Sequence, residues 1–321
     1  MSWKFIFYFV LIADFTAYLD CDSQKILTPY QSNDFVWIYK PEGDTFPGPT
    51  TNQLEAGKWY EEWVVNDHTF VKGPDGRWHL FGITHPKTTT DAIHEGEFLS
   101  FHAISAEANF REWVKKHSWA DLAKVLPPAE RPGERLENHA PYVIKRDDLY
   151  YMVYGPSPIR LAVSTDLMTW QLKGAFFSEA KGARDPGLLY YKNTYYLVYC
   201  TERKVNIRSS KDLLQWSDPT AIYESQDFDP ESPSLIRYNS NFYLVLCAWD
   251  GIWDRKEIEG VYQHKTYVYQ SDDKMIFDAS KPITTLNAHA LEIFQGEDGQ
   301  WYMSSVEWPN RGVSVDRIEW K

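Results

Sequence analysis

The sequence predicts an all-β chain folded as a single five-bladed β-propeller domain, and three observations carry that prediction. Five stretches share one hairpin plan, a turn of the form Ser-x-Asp-Leu-x-x-Trp follows two of them, and no repeat shows the period of an amphipathic helix. The hairpins are "NDHTFVKGPDGRWHLFGI" (66–83), "NHAPYVIKRDDLYYMVYG" (138–155), "GARDPGLLYYKNTYYLVYC" (182–200), "ESPSLIRYNSNFYLVLCA" (231–248) and "HALEIFQGEDGQWYMSSV" (289–306). Each has a polar start, an apolar strand, a short turn rich in Asp, Asn or Gly, and an aromatic-rich strand, which is the pattern of a β-hairpin.

The spacing is regular. Asp67 to Trp78, His139 to Tyr150, Asp185 to Tyr196 and Glu231 to Phe242 each span 11 positions, and His289 to Trp301 spans 12. Behind the hairpins come "SAEANFREW" (105–113), "STDLMTW" (164–170), "SKDLLQW" (210–216) and "SDDKMIF" (271–277), each a strand end in Ser, a polar turn and an aromatic. Trp170 and Trp216 lie 46 residues apart, the length of a four-stranded blade. The tail "RGVSVDRIEW" (311–320) supplies a late strand to the fifth blade, and the segment before residue 60 is expected to pair with it and close the ring. Two intervals are longer than the rest. The first contains a short helical stretch expected around Trp119 to Leu126 and a Pro-rich loop, and insertions of this kind on one face of a propeller commonly build a cleft.

At the N-terminus, Lys4 followed by the apolar run Phe5 to Ala13 has the n-region and h-region of a secretory signal. Residues 1–21 are read as that signal, with a buried N-terminal strand as the alternative, and residues 22–321 as the propeller. The run is too short to span a bilayer, so a secreted or periplasmic protein without a membrane span is expected. Asp14 interrupts the cleavage region, and Asp20 before Cys21 argues against a lipoprotein site.

Composition narrows the partners. The chain has 321 residues, 43% hydrophobic and 24% charged, with a net charge of −12. That field repels polyanions, so nucleic acid is disfavoured and neutral ligands are favoured. Aromatic residues reach 16%, which suits strands and also the apolar faces of sugars. Cys21, Cys200 and Cys247 have no metal-ligand spacing. Cys200 and Cys247 end comparable strands and are expected as buried free thiols, a disulfide between them being the alternative. No His or Cys pair has zinc spacing and no Gly-rich loop precedes a helix, so phosphate chemistry has no support.

In a propeller the inner strands start at one mouth of a central channel. The residues at those starts are Asp67, His139, Asp185, Glu231 and His289, three carboxylates and two histidines where a structural position would repeat small or apolar residues. The alternative is a set of polar strand caps lining a water-filled channel. Paired carboxylates across a cleft are the machinery of glycoside hydrolysis, one acid donating to the leaving oxygen and one carboxylate activating water or attacking carbon. Arg184 beside Asp185 would keep that carboxylate ionised and offers its fork to sugar hydroxyls.

At these residues the chain resembles the five-bladed propeller glycoside hydrolases, chiefly family 43 (arabinofuranosidases and xylosidases) with the related families 32 (fructosidases) and 117. The markers are "ND" ahead of "DGRWHLFGI", then "ARDP", then "ESPSL", supported by the "SxDLxxW" turns, and they cover roughly residues 60 to 310. The resemblance implies Asp67 as general base, or as nucleophile on the family 32 pattern, Asp185 as the carboxylate that modulates the acid, and Glu231 as general acid. It places His289 near the channel axis, where some relatives hold a calcium ion or a water, and His139 ahead of "APY" as in many second blades, although a histidine there is less typical. Asn66, His139, Arg184, Trp249 and His289 are the candidate substrate contacts. No cofactor is required by that chemistry beyond such a structural calcium.

Two features depart from the pattern or qualify it. His68 stands where a proline is common in both larger families, and the absence of a β-sandwich after the fifth blade favours family 43. An oligo- or polysaccharide substrate is implied, with exo-cleavage of neutral plant or algal glycans and inversion following the resemblance. A fructosidase and a non-catalytic carbohydrate-binding propeller are the alternatives. Trp249, Asp250 and Trp253 are candidates to stack on or bind sugar, against packing between blades, and His85 and His94 are candidates for the pocket wall, against a solvated loop.

Overall fold

The computed structural model describes residues 26–87, 97–108, 112, 114–179, 182–249, 265–272 and 274–321. The predicted signal segment, Cys21, His94, Asp250 and Trp253 lie outside the described residues. Four sheets of four antiparallel strands and a fifth, composite sheet form the five blades.

Short N-terminal strands β1 (Pro29–Gln31), β2 (Val36–Tyr39), β3 (Asp44–Thr45) and β4 (Trp59–Tyr60) come first. Blade I is β5 (Trp63–Lys72), β6 (Trp78–Pro86), β7 (Leu99–Ser105) and β8 (Trp119–Asp121). Blade II is β9 (His139–Arg146), β10 (Leu149–Gly155), β11 (Ile159–Ser164) and β12 (Gln171–Phe177). Blade III is β13 (Arg184–Tyr191), β14 (Thr194–Thr201), β15 (Lys204–Ser210) and β16 (Thr220–Glu224). Blade IV is β17 (Asp229–Tyr238), β18 (Asn241–Trp249), β19 (Thr266–Ser271) and β20 (Thr284–Leu286). Blade V is β21 (Ile293–Gln295), β22 (Trp301–Val306) and β23 (Val313–Trp320), completed by β1 and β2, which pair with the two halves of β23. The closure expected from the sequence is present.

The apolar second strands are explained by what lies on either side of them. A blade is covered on both faces by its neighbours, so both faces of its inner strands are buried. Five apolar clusters lie between successive blades in cyclic order. Phe81 and Val71 meet Met152 and Val143 between I and II, and Val153 and Leu161 meet Leu188 and Leu197 between II and III. Val198 and Val205 meet Leu235 and Leu244, then Val245 and Val268 meet Ile293 and Met303. The last cluster joins Val306 and Val315 of blade V to Val65 and Phe101 of blade I. Each fully buried side chain of this size contributes about 1.5–3 kcal/mol. Cys200 and Cys247 are buried free thiols.

The repeated turns have a common physical cause. Ser164 Oγ accepts from the amides of Asp166 and Leu167, and Asp166 Oδ1 accepts from those of Met168 and Thr169. Ser210 and Asp212 make the same four bonds. This folds Leu167 and Leu213 into left-handed conformations, φ 67° and 64°, with their side chains buried between blades. Burial of the leucine offsets a strain of order 1–3 kcal/mol.

One expectation is corrected. Trp119 to Leu126 is not helical: Trp119–Asp121 is the outer strand β8, and Val125 bridges Ser100. Hydrogen bonding along the open edge of β7 and burial of Trp119 against Phe70 outweigh the local helical propensity. The loop that follows is pinned by Arg131, whose guanidinium donates to the carbonyls of Leu126, Arg135, Phe98 and Leu136. Two blade-to-blade connections carry the same latch. Glu134 receives Tyr154 and Arg160, and Glu179 receives Tyr199 and Arg208, each glutamate five residues ahead of the next inner strand's start.

Candidate active site

All five blades contribute to one cavity on the ring axis. Asp67 and His68 come from blade I, Ala140 and Tyr142 from II, Asp185 from III, Ser232 and Ser234 from IV, and Ala290 and Glu292 from V. Each inner strand of blades I to IV has a register shift here, beside Asp67, after His139, at Asp185 and after Glu231. A bulge of this kind re-aims a side chain out of the ladder. Ala140, Asp185, Ser232 and Ala290 all have left-handed backbones, φ 44–53°, at this level.

The hairpin register corrects the expectation of five ionisable residues at one level. The last hairpin pairs are Arg146 with Leu149, Tyr191 with Thr194 and Tyr238 with Asn241. Seven residues back from each lie His139, Arg184 and Glu231, so Asp185 is level with Ala140 and Ser232 instead. The start of each inner strand is therefore a pair of adjacent residues. One member, Asp67, Ala140, Asp185, Ser232 or Ala290, lines the axial cavity. The other is Asn66, His139, Arg184, Glu231 or His289.

The three predicted carboxylates nevertheless converge. Arg184 Nη1 bonds Asp185 and lies 3.6 Å from Glu231 Oε1, while its Nη2 donates to Pro230 O at 2.9 Å. The Ser232 hydroxyl donates to Asp67, and its amide reaches Asp185 Oδ2 at 3.4 Å. One serine thus links Asp67 to Asp185, and one arginine links Asp185 to Glu231. Burial in the pit pushes the Asp67 carboxyl well above the usual range, and Asp185, Glu231 and Glu97 push it the same way while the Ser232 hydroxyl opposes them. Burial works against the Arg184 cation, but Asp185 and Glu231 more than offset it.

Several residues join the site that the sequence did not mark. Glu97, just ahead of β7, is buried and places Oε2 3.2 Å from His139 Nε2. Glu292 accepts from Phe70 N at 2.8 Å and Thr69 Oγ1 at 3.2 Å and is also hydrogen-bonded by Tyr142; burial raises it to about 8. His68 Nε2 meets Ser304 Oγ at 2.7 Å, and burial, with His289 nearby, lowers it to about 3, so this ring is neutral at physiological pH. In the sequence His68 directly follows a hairpin start and Glu292 lies three positions after one, whereas Glu97 sits in the connection between β6 and β7.

The remaining candidates are placed as follows. His289 is buried, with its amide donating to Ser305 Oγ at 3.0 Å, and Asn66 pairs with Ile83 across the hairpin. His85 is buried near the end of β6, with Nδ1 3.0 Å from Pro86 O. Trp249 ends β18 opposite Asp229, and its side chain lies outside what is described. Among the described residues no group of three or more His, Cys, Asp or Glu is placed to hold a metal ion, and no helix is long and apolar enough to cross a membrane.

No protein-family model matches the chain, and no curated protein matches it by sequence. Solved structures do match. An exo-1,5-α-L-arabinanase from a bovine ruminal metagenomic library aligns at TM-score 0.57 and 19% identity over 80% of this chain and 93% of its own. An endo-arabinase from Bacteroides thetaiotaomicron aligns at TM-score 0.59 and 13% identity over 80% and 95%. The Bombyx mori GH32 β-fructofuranosidase aligns at TM-score 0.54 and 18% identity over 80% of this chain, which spans only 59% of that protein. At such identities the likeness is one of fold: the chain is a five-bladed β-propeller of the kind these glycoside hydrolases share.

Proposed function

We propose that the chain is a glycoside hydrolase of the family 43 type that removes terminal pentose units, arabinofuranosyl or xylosyl, from neutral plant or algal glycans. The observation that supports it most is the meeting of Asp67, Asp185 and Glu231, from three separate blades, around one axial pit through Ser232 and Arg184. In this reading Asp67 takes a proton from the attacking water and Glu231 protonates the leaving oxygen. Asp185 takes a hydrogen bond from Arg184 Nη1, and Glu231 Oε1 stands 3.6 Å from the same nitrogen. Asn66, His139, Arg184, Trp249 and His289 are the proposed substrate contacts. A neutral sugar suits a pit where carboxylates outnumber the one arginine, since an anionic unit would meet repulsion.

Asp67 must be ionised to act as base, and its raised pKa makes it a stronger base over a narrower pH range. The rate is expected to fall on the acid side as Asp67 takes up its proton. The test is a screen of p-nitrophenyl arabinofuranosides, xylosides and the matching polysaccharides. Asp67→Asn and Glu231→Gln are each expected to lower kcat by at least about 1,000-fold with circular dichroism unchanged. Full activity in folded forms of both variants would overturn the assignment. We take the reaction as inverting, checked by proton NMR of the first anomer released. Export by residues 1–21 is checked by N-terminal sequencing of the exported protein. Turnover of sucrose in place of pentosides would support the fructosidase reading, and glycan binding without turnover a non-catalytic one. A structural calcium near His289 is the one metal the resemblance implies, and activity lost on dialysis against EDTA and restored by calcium would support it.

A further inference from the structure

Glu97 belongs to none of the five hairpin starts. It arrives from the connection between β6 and β7, and its side chain is only 4% exposed. A buried carboxylate is costly unless paired, and one placed near three others is costlier still. A residue kept only for stability at this position would be neutral. Its carboxylate instead lies 3.2 Å from the imidazole of His139, whose side chain keeps 20% exposure. The backbone beneath it is fixed on both sides. Glu97 O accepts from Asn138 N at 3.0 Å, next to His139, and Phe98 O accepts from the fully buried Arg131 at 3.1 Å. The same arginine therefore sets both the segment that carries Glu97 and the loop that leads into His139.

We propose that Glu97 is a further carboxylate of the site, a positioning residue that fixes the His139 ring for a hydroxyl of the terminal sugar and adds negative charge facing Asp67. The inference rests on the hydrolase reading for its kinetic part, while its electrostatic part stands without turnover. The charged groups acting on Asp67 are Asp185, Glu231 and Glu97, with Arg184 bound to Asp185 and set near Glu231, and His68 adjacent in sequence but neutral. Facing His139 are Glu97 and, more weakly, Glu137, itself held by Arg135. Glu97 favours the protonated form of Asp67, so its neutral replacement favours the ionised form.

The test has two arms. The first labels aspartate carboxyls with carbon-13 and follows the Asp67 resonance, assigned with Asp67→Asn, through a pH titration. In Glu97→Gln its midpoint is expected to fall by about half a unit or more, and Glu97→Asp, which keeps the charge, is expected to stay near the wild type. The second arm is kinetic. The acid limb of kcat/KM is expected to move down in Glu97→Gln by the same amount, and His139→Gln and Glu97→Gln are each expected to raise KM about tenfold. An unmoved Asp67 titration together with an unchanged KM in Glu97→Gln overturns the inference. If Glu97→Gln does not fold, the two Glu97→Asp and His139→Gln variants decide it, since a KM unchanged in His139→Gln removes the sugar contact. A wild type that hydrolyses no glycoside sinks the hydrolase reading, whereas the titration still decides whether Glu97 acts on Asp67.

Discussion

Glu292 shows what one buried carboxyl does to the stability of the ring. Its folded pKa of about 8 lies above the ordinary 4.5 because burial disfavours the charge, despite the Phe70 amide and the Thr69 hydroxyl. The unfolded chain releases this proton near pH 4.5 and the folded chain only near 8. The unfolded state therefore binds fewer protons in between, and the contribution of Glu292 is complete below 4.5 and lost as pH rises towards 8. Urea unfolding is expected to show Glu292→Gln gaining on the wild type with each unit between pH 5 and 8, by at most about 1.4 kcal/mol per unit. A constant difference across that range would disprove it. Residues of this type were not legible in the sequence. Glu97 and Glu292 stand outside the position that repeats, and only the folded ring brings them beside Asp67. Arg184 and Asp185 were legible as a pair, but not which of the two is level with Glu231. The adjacent Tyr195 and Tyr196 are equivalent anchors in the sequence, and only the pairing makes Tyr195 the partner in level of Tyr150 and Phe242.

At the scale of elements the repeats were readable because each has a local cause. The Ser-x-Asp-Leu turns fold through bonds between neighbours, Ser210 capping Leu213 and Asp212 capping Gln215, so the pattern in the sequence is the pattern in space. Replacing Ser210 with Ala is expected to cost about 1 kcal/mol and to lower the melting temperature by a few degrees, with activity retained. The outer strand β8 was hidden for the opposite reason. Its three residues are strand-forming only against β7, and alone the stretch "WADLAKVL" prefers a helix. The Glu134 and Glu179 latches lie between these cases, spaced like the repeats but depending on tyrosines and arginines from the blade they close over.

For the whole molecule the sensitive point is the seam in blade V. Asp316, almost wholly buried, accepts from the amides of Asn33, Asp34 and Arg317 and from the Ser32 hydroxyl, holding the turn between β1 and β2 against β23. Asp316→Ala leaves these donors unmatched and is expected to cost about 2–4 kcal/mol, seen as a lower urea midpoint. An unchanged midpoint would mean that the apolar contacts of Ile38, Tyr39 and Val315 seal the ring without it.

The seam also sets a timetable for biosynthesis. Strands at residues 29–39 must wait for partners at 313–320, so a growing polypeptide on the ribosome can build separate blades but cannot yet hold them in a circle. The acids of the pit, drawn from blades made one after another, would then gain their working arrangement only when translation of the last blade is done.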